Sequence, residues 1–307
     1  MASLSDSREA FDTLIRRIWH SGLKNVFVKT SLTDVLNSLC IQPDVISQTA
    51  DGRNLRYVHR MLEGGDIYWI SNPENSAVDA DVSLRKTDLT PIILNPENGQ
   101  ISSASFNDEN GRITVHLHLE PNQALFIMLD AEPQIKSPTD PARQSVTLTT
   151  EFPAWEITFQ PDRGAPDTAI TTELKSWTNF DNEEIRYFSG TATYKNRFTL
   201  TKKQLLQQHR IILDLGDVKN LAEVFVNDQR VETLWKQPFK ADITHYVQPG
   251  DNTLTIRVTN LWANRLIGDA QPQTPVKVTY TCLPFYTPDA PLLPSGLLGP
   301  VTIKGEK

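Results

Sequence analysis

The sequence predicts a mainly β protein made of two antiparallel sandwich domains behind a short N-terminal α/β segment. From Leu55 onward apolar and polar residues alternate, the period of strands that bury one face. Turn residues punctuate these runs at Gly64-Gly65, Asn95-Pro96-Glu97-Asn98-Gly99, Asn227-Asp228 and Gln248-Pro249-Gly250-Asp251-Asn252. Residues 131–144 carry three prolines among polar residues and read as a linker. A chain of 307 residues favours two domains, or one with a substantial appendage. The expected division is 1–50 for the α/β segment, 51–130 for a small sandwich and 145–307 for the larger one.

In order, residues 5–20 read as a helix, with Ser5 or Ser7 as cap and Glu9 early, where negative charge suits the helix dipole. Phe11, Leu14, Ile15, Ile18 and Trp19 recur at helical spacing and Gly22 ends the run. Asn25 to Lys29 reads as a short buried-type strand. Ser31 or Thr33 then opens a second helix with Val35, Leu36 and Leu39 on one face. Helix, strand, helix is too short for an independent α/β domain. It reads as the tail of a truncated domain or as a cap packed on the first sandwich.

Strands are expected at Leu55–Arg60, Asp66–Ser71, Ala77–Leu84, Pro91–Leu94, Arg112–Leu119 and Ala124–Leu129, the second ended by Asn72-Pro73. Beyond the linker they are expected at Val146–Leu148, Trp155–Phe159, Gly190–Leu200, Arg210–Leu215, Leu221–Val226, Arg230–Trp235 and Thr253–Thr259. A final strand is placed within Pro294–Ile303, Lys202–Gln208 reads as a helical turn, and Leu261–Tyr286 as long and irregular.

The balance of 39% apolar and 22% charged residues is ordinary for a globular chain. Net charge is −7 with no basic cluster, which argues against nucleic acid and anionic membranes as partners. Cys40 and Cys282 are far apart, so neither a disulfide framework nor a cysteine zinc site is expected; both read as buried or semi-buried thiols. No run reaches the ~20 apolar residues of a membrane helix. The N-terminus lacks the basic and apolar regions of a secretory signal, so the chain reads as cytosolic or as a piece of a longer secreted protein.

Gly190-Thr-Ala-Thr-Tyr194, Leu213-Asp-Leu-Gly216, Ala222-Glu-Val-Phe-Val-Asn227, Trp235, Pro238-Phe239, Asp242-Ile-Thr244 and Pro249 through Asn260 succeed one another in an order that resembles the sugar-binding domain of family 2 glycoside hydrolases. Leu261 to Asp269 and Leu293 to Pro300 further resemble the C-terminal region of family 106 α-L-rhamnosidases, as do His59-Arg60 and Asp66 to Pro73. The resemblance spans about residues 23–303. It implies that the second sandwich is a galactose-binding-like jelly roll, and that the catalytic barrel of ~250 residues with its acid/base glutamates lies N-terminal to the matched region. It further implies a catalytic domain encoded upstream or in trans, carbohydrate partners including rhamnose-containing glycans, and a periplasmic or extracellular setting.

Glycoside hydrolysis needs two carboxyl groups flanking the bond. Glu183-Glu184 would point apart in a strand and reads as a solvated loop; Glu156, Asp214 and Glu223 read as outward-facing, so no catalytic pair is assigned. Sugar binding instead needs an aromatic face beside a few polar groups. The assigned carbohydrate-binding residues are Trp262, Asn264, Arg265, Trp177 and Tyr187, with Trp235 and Tyr286 as further aromatics. Trp262-Ala263-Asn264-Arg265, just past a strand end, is the leading cluster. The competing reading places Trp235 in the core and has Asn260 and Asn264 bonding loop backbone. His116 and His118 share a strand face without further ligands, and Asp242, Asp251 and Asn252 read as turn-forming, so no metal or cofactor is expected. Three functions remain open: an accessory carbohydrate-binding or supporting portion of a rhamnosidase-like enzyme, a purely structural module, and a stand-alone glycosidase with an unrecognised site.

Overall fold

The structure is a computed structural model that describes residues 7–130, 145–274 and 277–306; the expected linker, and Ser5 as a cap, lie outside them. The described residues form two units. One comprises those up to 70, 79–117 and 125–130; the other comprises 71–78, 118–124 and those from 145 onward.

Helix α1 (Arg8–Trp19) is capped by Ser7, whose side chain accepts from Ala10 N, and helix α2 (Leu32–Ser38) by Ser31, which accepts from Asp34 N. The strand expected at Asn25 to Lys29 does not form, so the segment carries two helices and no strand between them. An apolar run needs a neighbouring strand to become one, and none pairs with it among the described residues.

The first sandwich starts earlier than expected, at β1 (Val45–Thr49), and continues with β2 (Arg56–Leu62), β3 (Gly65–Ser71), β4 (Val78–Leu84), β5 (Thr90–Leu94), β6 (Ile101–Ser103), β7 (Ser105–Glu109), β8 (Arg112–Leu119) and β9 (Ala124–Asp130). The strands run β1-β4-β8-β7 in one sheet and β2-β3-β9-β5-β6 in the other. Alternation does the folding: Tyr68 and Ile70 of β3, Val78 to Leu84 at every second position of β4, and Ile113 to Leu119 at every second position of β8 are buried. Strand β7 is missed from sequence because all five of its residues are exposed and it offers no alternation to detect.

The second sandwich comprises β10 (Ser145–Thr149), β11 (Trp155–Phe159), β12 (Thr168–Thr171), β13 (Thr191–Leu200), β14 (Arg210–Asp214), β15 (Asp217–Lys219), β16 (Leu221–Val226), β17 (Gln229–Leu234), β18 (Lys240–Asp242), β19 (Gly250–Thr259), β20 (Gly296–Gly299) and β21 (Thr302–Glu306). A six-stranded sheet runs β12-β11-β13-β19-β16-β17 and a four-stranded sheet β10-β21-β14-β18, with β15-β20 as a small third. Pairing is antiparallel; β13 and β19 pair along their whole length, from Thr191 opposite Thr259 to Leu200 opposite Gly250. Asn227 and Asp228 both adopt the left-handed region, as a two-residue hairpin turn between β16 and β17 requires. The helical turn reads as expected: α4 (Lys202–Leu206) opens on a capping box between Thr201 and Gln204. Trp155, Phe159, Trp177, Phe188, Tyr194, Phe198 and Phe239 supply the aromatic part of a core that continues through Ile256 and Leu297. The protein is thus mainly β, with antiparallel sheets and few helices, as the sequence predicts.

Candidate functional site

The site region grows from the end of β19. Asn260 accepts from Gly190 N at 2.9 Å and donates to Phe188 O at 2.9 Å, which ties the strand end to the start of β13. Ser189 then donates to Leu261 O at 2.8 Å and accepts from Arg265 N at 3.1 Å. Those bonds turn the chain into helix α5 (Ala263–Asp269), where the sequence predicts an irregular stretch. Six of its seven residues are buried, so the short helix is held by packing and straps rather than by helix propensity.

Trp262 stands at the head of α5 with 48% of its surface exposed, and the guanidinium of Arg163 lies over its ring at 4.9 Å from the centroid. The other assigned residues have different fates. Asn264 is buried and its amide is consumed: it donates to Leu293 O at 2.7 Å and Ser295 Oγ at 2.8 Å, and accepts from Leu293 N at 2.8 Å. Arg265 is buried in an ion pair with Asp269 at 3.0 Å, close against Gly164 and Gly268. Trp177, assigned as a sugar contact, is a core residue with no exposed surface. Its Nε1 donates to the Tyr194 hydroxyl at 2.6 Å, and Phe159 and Phe188 meet it edge-on. Burial of this kind takes Trp177, Asn264 and Arg265 out of a ligand's reach. Tyr187 is half-buried, its ring base against Gly268.

Trp235 reverses the expectation that it is core: it is 64% exposed, because alternation turns its neighbour Leu234 inward and leaves Trp235 past the strand end. The thiols of Cys40 and Cys282 are likewise exposed rather than buried, both lying outside regular strands.

A groove along α5 is not foreseen from sequence. Asp269 accepts from Val278 N at 3.1 Å, Thr279 N at 2.7 Å and Thr279 Oγ1 at 2.5 Å, pinning the following loop to the helix. Burial alone would raise the Asp269 pKa, but the Thr279 and Val278 hydrogen bonds and the Arg265 charge hold it below the usual carboxylate range. Between loop and helix opens a groove of about 260 Å³, lined by Leu266, Lys277, Tyr280, Leu283, Phe285 and Tyr286 among others. Tyr280 and Phe285 are almost fully exposed, and Phe285 meets Tyr286 edge-on with ring centroids 5.3 Å apart. Of these residues the sequence singles out Tyr286 alone; the available signal is an aperiodic run from Tyr280 to Tyr286, rich in large apolar residues where a loop is normally polar.

The carboxylates considered for catalysis are placed elsewhere. Glu183 and Glu184 are exposed in the first turn of helix α3 (Glu183–Arg186), capped by Asn182, rather than in a loop. Glu156 is exposed, Asp214 pairs with Lys304 at 3.0 Å and Glu223 with Arg257 at 3.0 Å. His116 contacts Asp81, and no group of three or more metal-ligating side chains forms among the described residues. Asp242 accepts from Thr244 N and Arg210 Nε, and Asn252 bonds Gln248 and Gly250, the turn-forming roles expected of them.

Comparison with known proteins bears on both halves of the chain. Residues 1–108 match the α-L-rhamnosidase family 106 model, and residues 153–275 match the sugar-binding domain of family 2 glycosyl hydrolases. The solved rhamnosidase of Novosphingobium sp. PP1Y aligns over 96% of this chain at 34% identity with a TM-score of 0.81. A candidate beta-glucuronidase of Formosa agariphila is 38% identical over 172 residues, 48% of this chain. A beta-glucuronidase of Ruminococcus gnavus aligns over 41% of this chain and 22% of its own, at 19% identity with a TM-score of 0.32. The chain spans 28% of the Novosphingobium protein and 15% of the Formosa protein. In order along its length, this chain is similar first to the α-L-rhamnosidase family 106 model and then to the sugar-binding domain of family 2 glycosyl hydrolases.

Proposed function

We propose that this chain is the accessory, carbohydrate-handling portion of an α-L-rhamnosidase-type glycoside hydrolase, with Trp262 as its sugar platform and catalysis carried by a domain encoded upstream or in trans. The reading rests on one observation: a half-exposed indole held at the head of a helix that Ser189 and Asn264 strap to the sandwich. A rigid, partly open aromatic ring is what the apolar C–H face of a pyranose stacks on. Tyr187 and the groove beside α5 offer the flanking surface. Rhamnose-containing glycans are the proposed ligands, on the strength of the family match over 1–108. The division at 1–50, 51–130 and 145–307 belongs to the same proposal.

Calorimetric titration with rhamnose-containing oligosaccharides, with Trp262→Ala as control, tests it. Heat that disappears in the variant supports the platform; no heat with any such sugar sinks it. Release of the aryl group from an aryl rhamnoside by the purified chain would overturn the assignment of catalysis to a domain outside these residues. A purely structural role is favoured by one fact, that Trp177, Asn264 and Arg265 are all buried, and predicts the silent titration.

A further inference from the structure

We propose that the open face of α5 and the loop after it form one extended track for an oligosaccharide. Trp262 stacks on one sugar, and the Tyr280 and Phe285 rings take a sugar further along the same chain. The inference deepens the reading of Trp262 as a sugar platform and rests on it. From Trp262 to Ala270, only Trp262, Leu266 and Ala270 escape burial. Trp262 and Ala270 flank the helix with helical backbone angles. The three residues stand at i, i+4 and i+8 and so fall on one face. Leu266 and Ala270 also line the groove of about 260 Å³ beside α5, together with Tyr280 and Phe285. The indole and the groove therefore share a single surface. At ~1.5 Å rise per residue, Trp262 to Ala270 spans about 12 Å. That is longer than one pyranose ring, so a ligand that touches both ends is a chain of sugars.

The outer wall of the groove is braced around its rings. Asp269 holds the loop at Val278 and Thr279. Thr281 Oγ1 donates to Leu283 O at 2.7 Å, and Gln271 Nε2 donates to Pro288 O at 2.8 Å. Tyr280 and Phe285 stand almost fully open between these ties. Rings fixed in this way lose little freedom when a ligand stacks on them. Their surroundings select the occupant. Tyr280 and Tyr286 carry hydroxyls on their ring edges, and Lys277 and Thr281 stand in the same lining. Ring faces suit the C–H side of a pyranose, and these polar groups suit its hydroxyls. The match to the family 2 sugar-binding domain runs through the whole of α5 to residue 275, and the loop adds its rings just beyond it. That continuity favours a sugar over a polypeptide.

Titration calorimetry of the full chain with methyl α-L-rhamnoside and with rhamno-oligosaccharides of increasing length tests the track. Affinity is expected to rise with length until the chain spans the groove, by about three- to tenfold for the second stacked sugar. Phe285→Ala and Tyr280→Ala remove that gain. They leave the affinity for methyl α-L-rhamnoside and the melting temperature unchanged, because both rings are exposed. Trp262→Ala abolishes binding of short and long sugars alike. Amide hydrogen exchange is expected to show new protection over 277–286 with the longer sugars and none there with the single one. Binding of methyl α-L-rhamnoside with no gain on lengthening overturns the track and leaves the platform standing. A gain that both groove variants retain places the added sugars elsewhere and overturns the track as well. So does a melting temperature lowered in both variants, which would make the rings part of the fold. Self-association that Phe285→Ala abolishes would assign the groove to a second copy and overturn it equally. No heat with a sugar of any length sinks the platform reading itself, and the track with it.

Discussion

The guanidinium of Arg163 lies 4.9 Å from the centroid of the Trp262 ring. One contact therefore joins the turn after β11 to the head of α5 and orients the indole. A cation–π contact at an exposed site is worth about 0.5–1 kcal/mol. If Trp262 is the platform, Arg163→Ala lowers affinity for a stacking sugar by about two- to fivefold, and Trp262→Ala removes binding. Titration calorimetry on both variants checks this. Tighter binding by Arg163→Ala would show instead that the arginine blocks the ring.

Trp177 makes the opposite case. Its Nε1 and the backbone N of Leu297 both donate to the Tyr194 hydroxyl, at 2.6 and 3.3 Å, inside the sandwich core. Tyr194→Phe strands two donors in a dry interior and is expected to cost about 1–3 kcal/mol. Trp177→Ala opens a large cavity and costs about 3–5 kcal/mol. Denaturant unfolding measures both. Sugar affinity, measured where the variants remain folded, stays unchanged.

These two tryptophans mark how far the residues alone can be read. Strands are legible wherever one face is buried, as in β13, where Ala192, Tyr194, Phe198 and Leu200 alternate inward. They are illegible where exposure removes the alternation, as in β7. The run at Val26-Phe27-Val28 has a strand's composition, but pairing depends on a neighbour that local sequence does not encode. The same limit applies to the site. The preceding residues, Ser176 and Leu261, do not sort the two correctly, and long-range packing, Trp177 against Gly296 and Trp262 under Arg163, separates core from surface. Asn264 reads from sequence either as a sugar ligand or as a loop strap; its three bonds to Leu293 and Ser295 make it the strap.

Gly268 is required by space. A Cβ there would meet Arg265 Nη2 and Tyr187 Cβ at 2.6 Å each. Overpacking of this kind costs about 1–3 kcal/mol. Gly268→Ala is expected to lower the melting temperature and to displace Tyr187, seen as a changed tyrosine environment in near-ultraviolet circular dichroism. An unaltered spectrum with full stability would mean that the helix yields without cost.

Asp269 sets an acid limit on the loop that carries Tyr280 and Phe285. Burial works to raise its pKa, but hydrogen bonds from Thr279 and Val278 and the charge of Arg265 prevail and lower it. A carboxyl whose folded pKa is depressed contributes stability that is fully present above its unfolded value, about 3.9. That contribution is lost as pH falls through the lower folded value. Asp66 and Asp242 are shifted in the same direction, so acid sensitivity of the wild type alone does not isolate Asp269. The difference between wild type and Asp269→Asn does. At neutral pH the variant leaves the buried Arg265 without its counter-charge and is expected to lose about 3–5 kcal/mol. The gap in melting temperature should hold from pH 7 to about 5 and narrow below about 4, as the wild-type carboxylate takes up its proton. A gap that stays constant to the lowest pH at which the protein folds would show that neutral hydrogen bonding, rather than the ionised carboxylate, pins the loop.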